Sequence, residues 1–313
     1  MRIDTHCDTS VRLLAEKSLR MLPQSHLDYS RLAKALEIQF FAIFLDAQKH
    51  TRLLPDTLDV LARLKADIEN NSDLIRPLLW RHELSEVSRR GVSRALFAVE
   101  GGELLDGDIT VLESLFAAGI RSFGLTWNYE NKLGGGANSD KGLTRFGVEV
   151  IAELNRLGII VDGAHLSPQS FWDMLAACKK PPIVSHTCCR ALWEHRRNID
   201  DAQLKAVGEC GGVVGITFVR SFLGSEPTVD VDDIVRHLDH AVKKAGIEHV
   251  GIGSDFDGTD LPTGMNGVED WYKLADGLRS LGYGSYDIDL VAGGNFCRIL
   301  QDNLPEMPNK NLI

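Results

Sequence analysis

Several things are scarce or missing in this 313-residue chain, and each absence removes a class of function. No uninterrupted apolar stretch approaches the length of a membrane span. The opening Met1-Arg2-Ile3-Asp4-Thr5-His6 turns polar at once and lacks the apolar core of a secretion signal. Positive charge is in deficit: 34 Lys and Arg against 44 Asp and Glu leave a formal net charge of −10. That balance argues against a surface for nucleic acid or anionic membrane, since both need clustered cations. It suits carboxylates gathered around cations, although most acidic proteins are simply soluble. The six cysteines are scattered apart from the vicinal Cys188-Cys189, with neither a CxxC ladder nor a dense framework. Reduced thiols and a cytoplasmic setting are the expectation. Linkers rich in Pro, Gly or Ser, low-complexity tracts and repeats are also lacking, which favours one domain over residues 1–313.

What is present is an alternation. With 44% apolar residues the chain can build a sizeable core. Strand-like runs fall at Arg2–Thr5, Glu37–Phe44, Arg94–Val99, Arg121–Thr126, Gly158–Asp162, Pro182–Ser185, Gly212–Thr217 and His249–Gly253. Helix-like segments lie between them, including Asp56–Asn70, Thr144–Leu157, Pro168–Cys178, Asp200–Val207 and Val231–Ala245. Ser167-Pro168 reads as a cap followed by proline at the first helical position. Eight strands with intervening helices indicate parallel β/α units and a (β/α)8 barrel, with an open doubly wound sheet as the competing arrangement. Gln24–Leu45 is hard to place. Leu261–Ser285 reads as a long excursion on the active face before a final helix near Ile288–Leu300.

The polar residues that end the strands carry the chemistry. His6 and Asp8 follow the first strand, and Glu100 closes the third. Trp127 closes the fourth, His165 lies beyond the fifth, His186 closes the sixth and Asp255 follows the eighth. In a β/α barrel those ends share one face, where active sites are built. His6-x-Asp8 places both side chains on one side of an extended segment, which suits chelation. One such pair alone reads equally as a buried, hydrogen-bonded histidine. Glu100 ends the apolar run Ala95-Leu96-Phe97-Ala98-Val99, where a carboxylate needs a cation or strong donors. Five such groups on one rim are hard to explain without metal. Imidazole and carboxylate suit zinc, manganese, iron or cobalt, and the lack of cysteine among them removes a closed structural zinc site. Five ligands fit two ions sharing a carboxylate, ~3.5–4 Å apart with a water that becomes a nucleophile near neutral pH. Gly134-Gly135-Gly136 reads as a flexible loop over the site, and the remaining histidines as structural.

In order along the chain stand Asp4-Thr5-His6-Cys7-Asp8, Glu100-Gly101-Gly102, Leu125-Thr126-Trp127-Asn128, Ala164-His165-Leu166-Ser167, Pro182-Ile183-Val184-Ser185-His186, Arg196-Arg197-Asn198 and Gly251-Ile252-Gly253-Ser254-Asp255-Phe256-Asp257-Gly258. Together they resemble the membrane (renal-type) dipeptidase family of metallopeptidases, over nearly the whole chain. The resemblance implies a two-zinc dipeptidase barrel, with manganese or cobalt as substitutes. His6 and Asp8 would hold one ion, His165 and His186 the other, and Glu100 would bridge them. Arg197 would match the arginine on the substrate's terminal carboxylate, a task for a planar bidentate donor. Asp255 would match the acid that shuttles a proton to the leaving amine. Many members carry a histidine where this chain has Trp127, and an indole cannot carry positive charge. Asn128 or the metals then supply the oxyanion contact, or the substrate differs, so Trp127 and Asn128 are expected to line the substrate site.

The expected function is therefore metal-dependent hydrolysis of dipeptides, with no nucleic-acid or membrane partner and a homodimer left open. Two alternatives remain: another metal-barrel hydrolase of a cyclic amide, lactone or phosphoester, and a metal-stabilised binding protein without turnover. Asp8 and Glu100, in place of His-x-His and a carboxylated lysine, favour the first reading over the second.

Overall fold

In the computed structural model, which describes residues 1–87, 91–225 and 227–307, the apolar runs form parallel strands. They are β1 (Ile3–Asp4), β2 (Ile38–Phe44), β3 (Ile75–Pro77), β4 (Ser93–Glu100), β5 (Ile120–Gly124), β6 (Ile160–Asp162), β7 (Ile183–Thr187), β8 (Val213–Ile216) and β9 (Val250–Ile252). Neighbours run β2-β1-β9-β8-β7-β6-β5-β4, and a β2–β4 pairing over seven residue pairs closes the ring into an eight-stranded barrel. β1 joins the two ends, through Ile3 opposite Ile38 and Asp4 opposite Ile252. All eight expected strands are therefore present. The ninth, β3, pairs only with the beginning of β4, below the point where β5 takes over that edge. Its three residues, ending in Pro77, are too few to show a period.

Helices surround the barrel, and their starts follow local chemistry. Thr144, Ser167 and Asp200 each accept a backbone N–H at the start of Arg145–Leu157, Pro168–Ala177 and Asp201–Glu209. The helix expected from Asp56 begins earlier, at Leu53, because Pro55 fits a first turn where its missing N–H costs nothing. Leu261–Ser285 is only partly an excursion. It holds a 3-10 turn at Val268–Trp271 and a helix at Tyr272–Ser280 that bury Val268, Trp271, Leu274 and Leu278.

One end of the barrel is stoppered. Ile3, Ile38, Phe40, Leu96, Ile160, Ile183 and Val213 form one apolar cluster with Phe296, Ile299, Leu300 and Leu304 of the helix Asn295–Asn303 and the residue that follows it. This makes a dry floor and leaves the carboxyl ends of the strands as the open face. The expected continuous final helix is broken before it. Gly293 lies against the backbone of Met1 and Ile3, where a Cβ has no room. No helix among the described residues is long and apolar enough to cross a membrane.

His237, on the helix Val231–Ala245, braces the open face from outside. Its Nδ1 accepts from the Cys189 N–H, and its Nε2 donates to the Leu223 carbonyl, each at 3.0 Å. Burial lowers its pKa to about 4, the Leu223 carbonyl opposing. The unfolded chain therefore binds a proton here below about pH 6.5 while the folded chain stays neutral down to about 4. Its stabilising contribution is complete above that window and lost as pH falls through it, amounting to about 3 kcal/mol. His237→Gln keeps a neutral donor and acceptor, so stability is expected to fall less steeply between pH 6.5 and 4, by up to one proton. An unchanged slope in denaturant unfolding at stepped pH would show that His237 titrates elsewhere.

Candidate metal and active site

The alternation after β1 sorts three neighbours. His6 and Asp8 face the barrel mouth, while Cys7 between them joins the outer apolar core. Glu100, the last residue of β4, reaches the centre. Its Oε2 lies 3.6 Å from His6 Nε2, and its Oε1 lies 2.7 Å from His165 Nε2 and 3.5 Å from His186 Nε2. The two imidazole nitrogens are 2.9 Å apart. Asp8 and Asp255 both approach His6 Nε2, at 3.9 and 4.0 Å. All five expected ligands thus converge, with Glu100 Oε2 nearest His6, its Oε1 nearest His165 and His186, and the His6 and His186 rings 3.9 Å apart between centroids. His186 sits inside β7 rather than closing it, and Trp127 lies three residues past the end of β5.

The donor set fits metal. His6 Nε2 and Asp8 Oδ1 are buried with no hydrogen-bond partner. Burial, with Arg197 adding, pushes the His6 pKa down to about 3, and burial holds His165 and His186 well below the ordinary range. Neutral imidazole is the ligating form. Burial and repulsion from Asp255 push the Asp8 carboxyl well up, burial and repulsion from Asp8 and Asp255 do the same to Glu100, and burial raises Asp255 to about 6. Carboxylates so enclosed stay ionised only beside positive charge.

Supporting residues hold this geometry, and two of them, Asp4 and Asp162, escaped the sequence reading. Asp4, wholly buried, accepts from Ser254 N at 2.8 Å and Ser254 Oγ at 2.6 Å, tying β1 to the segment that carries Asp255. Asp162 accepts from Ala164 N at 3.0 Å and Ser185 N at 2.9 Å, which fixes the approach to His165 and His186. His165, Asp255 and Asp257 adopt left-handed backbone near φ 66, 65 and 66°. Such conformations cost roughly 1–3 kcal/mol each and persist only where surroundings impose them. At Asp257 the imposition is visible: its carboxylate accepts from Thr9 Oγ1 at 2.6 Å and the His26 N–H at 2.9 Å. Asp4 stands two residues before His6, and its burial next to a strand end was the available signal.

The glycine run is not the flexible loop expected. Residues Leu133–Ala137 are buried, and Gly136 packs so tightly on the backbone of Trp127 to Tyr129 that no side chain fits. Gly136 also pairs with Leu166, beside His165. The segment braces Asn128, whose Oδ1 lies 2.8 Å from Nδ1 of His165. That contact engages the amide oxygen with a histidine, so only the Nδ2 side of Asn128 remains for substrate.

Arg197 is buried, with one guanidinium N–H donated to the His186 carbonyl at 3.2 Å and its Nε without a partner. Burial lowers its pKa to about 10 against the pull of Glu100, Asp255 and Asp162, so it remains a cation at neutral pH. A cavity of about 800 Å³ opens over these groups, lined by Asp8, Glu100, His165, Arg197 and Asp255 together with Phe44, Trp127 and Phe222.

Comparisons with known proteins point to one family. The sequence profile of the membrane dipeptidase family (peptidase family M19) matches residues 1–309. An uncharacterised dipeptidase of Schizosaccharomyces pombe is 32% identical over 305 residues, covering 88% of this chain and 72% of the relative. An uncharacterised protein from the region 5′ of pqqA in Klebsiella pneumoniae is 32% identical over 263 residues, covering 79% of this chain and 97% of that one. Among solved structures, a dipeptidase of family M19 aligns with a TM-score of 0.91 at 26% identity, over 97% of this chain and 98% of that one. A metallopeptidase from Rhodobacter sphaeroides, bound to a phosphinate mimic of L-Ala-D-Ala, aligns with a TM-score of 0.89 at 26% identity, over 96% and 99%.

Proposed function

The chain belongs to the membrane dipeptidase family of metallopeptidases, and on that basis we propose that it hydrolyses dipeptides with two zinc ions held by His6, Asp8, Glu100, His165 and His186. The observation that carries the two-ion reading is the division of Glu100, one oxygen toward His6 and the other toward His165 and His186. Manganese and cobalt suit the same nitrogen and oxygen donors. Closure of the barrel by β1 and β9 supports one domain over residues 1–313. When bound, such a pair supplies a water of lowered pKa and positive charge for the developing oxyanion.

The protein's own residues do the rest. Arg197 receives the free carboxylate of the dipeptide through a charge-assisted pair in a dry setting. Asp255, at the mouth beside His6 and Asp8, takes the proton lost by the attacking water and passes it to the leaving amine nitrogen. Asn128 orients His165 by accepting its Nδ1–H, which turns Nε2 toward Glu100. Its replacement by leucine is expected to weaken metal binding by roughly 10- to 100-fold in a chelator competition, and unchanged affinity would remove this role.

Arg197→Ala is expected to raise KM for dipeptides by an interaction worth roughly 2–5 kcal/mol. The parent enzyme should turn over C-terminally amidated dipeptides poorly. Equal rates on free and amidated substrates would refute the assignment. Turnover of a panel of L-Xaa-L-Xaa and L-Xaa-D-Xaa dipeptides tests the function as a whole, and a panel without any substrate would contradict it.

A further inference from the structure

The cavity over the ligands has two unlike sides. In ring order β4 and β8 stand opposite each other, four steps apart whether counted through β5, β6 and β7 or through β2, β1 and β9. Around β4, the rings of Phe44 (end of β2) and Trp127 (beyond β5) lie with centroids 4.8 Å apart at 36°. Tyr129 continues the row at 5.7 Å from Trp127. Phe44 is the register partner of Glu100, so this wall begins at the central carboxylate. Glu100 apart, the lining contributed beyond β2, β4 and β5 is uncharged: Phe44, Trp127, Asn128 and Asn138. Phe44 and Trp127 are each only partly buried, which leaves apolar ring surface facing the cavity. On the far side Arg196 and Arg197 follow β7, and Val219 and Phe222 follow β8.

A dipeptide spans ~7 Å when extended, so its two ends meet different parts of the cavity. With its carboxylate at Arg197 and its peptide bond over Glu100, its amino-terminal residue falls against the aromatic wall. We propose that Phe44 and Trp127 form the specificity wall for that first residue, and that the preferred substrates carry a large apolar side chain there. The inference rests on the dipeptidase function proposed above and on Arg197 as the carboxylate anchor. A leucine or phenylalanine side chain covers the exposed ring faces and is covered by them, removing apolar area from water on both partners. A glycine or alanine leaves the rings wet. An aspartate side chain approaches Asp8, Glu100 and Asp255 with like charge. On this account Trp127 does not polarise the carbonyl but reads the side chain beside it.

The test is kcat/KM for L-Xaa-L-Ala, with Xaa as Gly, Ala, Leu, Phe, Arg or Asp, on the metal-loaded enzyme. Leu and Phe are expected to exceed Ala by roughly 10- to 100-fold. That ratio should collapse to within about 3-fold in both Phe44→Ala and Trp127→Ala, and Trp127→Phe, which keeps a ring, should retain most of it. A parent ratio near one, Arg as the best first residue, or a ratio that survives both alanine variants would each overturn the proposal. A panel in which no dipeptide is cleaved would instead overturn the underlying function, and this inference with it.

Discussion

Glu100→Gln is expected to abolish dipeptide turnover while the fold survives. The substitution is nearly isosteric, and Glu100 caps an eight-residue strand whose other seven positions are buried, so the barrel has little to lose. The site has much to lose. Glu100 lies 3.6 Å from His6 Nε2 through one oxygen and within 3.5 Å of both His165 and His186 through the other. An amide offers one oxygen and an NH2 that is no ligand, so it cannot serve both sides. Turnover should fall by roughly 10³-fold or more, beyond what one lost oxyanion donor costs. Metal content should drop with it, while far-UV circular dichroism and the unfolding midpoint of the metal-free protein stay close to the parent's. Near-normal rates in the variant would show that Glu100 does not join the two halves of the site.

Asp255→Asn is expected to depress kcat by roughly 10²- to 10⁴-fold, the usual contribution of a positioned proton carrier. Asp255 follows β9, which pairs with β1, and this puts it beside Asp8 and 4.0 Å from His6 Nε2. The same proximity raises the alternative that it binds metal, since His6, Asp8 and Asp255 can present ligand atoms to one point. The two roles separate cleanly. A proton carrier changed to asparagine keeps both metals and KM and loses kcat. A ligand so changed loses a metal, and a residue with only a structural part leaves kcat where it was.

Much of this arrangement was legible in the sequence because one rule produced it. Apolar runs such as Ala95–Val99 and Ile159–Val161 must be interior, and a polar group at their carboxyl end emerges on a shared face. That rule located His6, Asp8, Glu100, His165 and His186 without knowledge of any contact. It could not see layers that depend on three-dimensional approach. Asp4 and Asp162 sit one level below the ligands, where their partners Ser254 and Ser185 are distant in sequence. Gly134–Gly136 looked loose because glycine permits motion, yet here the missing side chains permit close backbone contact with residues 127–129. The strand Ile75–Pro77 was too short to declare a period, and the break at Gly293 depends on packing against the chain's first residues. Trp127 was visible as a departure from the family pattern, but only the row from Phe44 to Tyr129 shows what it builds.

The proposed two-metal site is tested most directly by adding zinc stepwise to the metal-free protein and following bound metal and dipeptide turnover together. With Glu100 joining two ions, turnover stays low through the first equivalent, rises with the second and reaches its plateau at two per chain. A plateau at one equivalent, or full turnover before any metal is added, would contradict it.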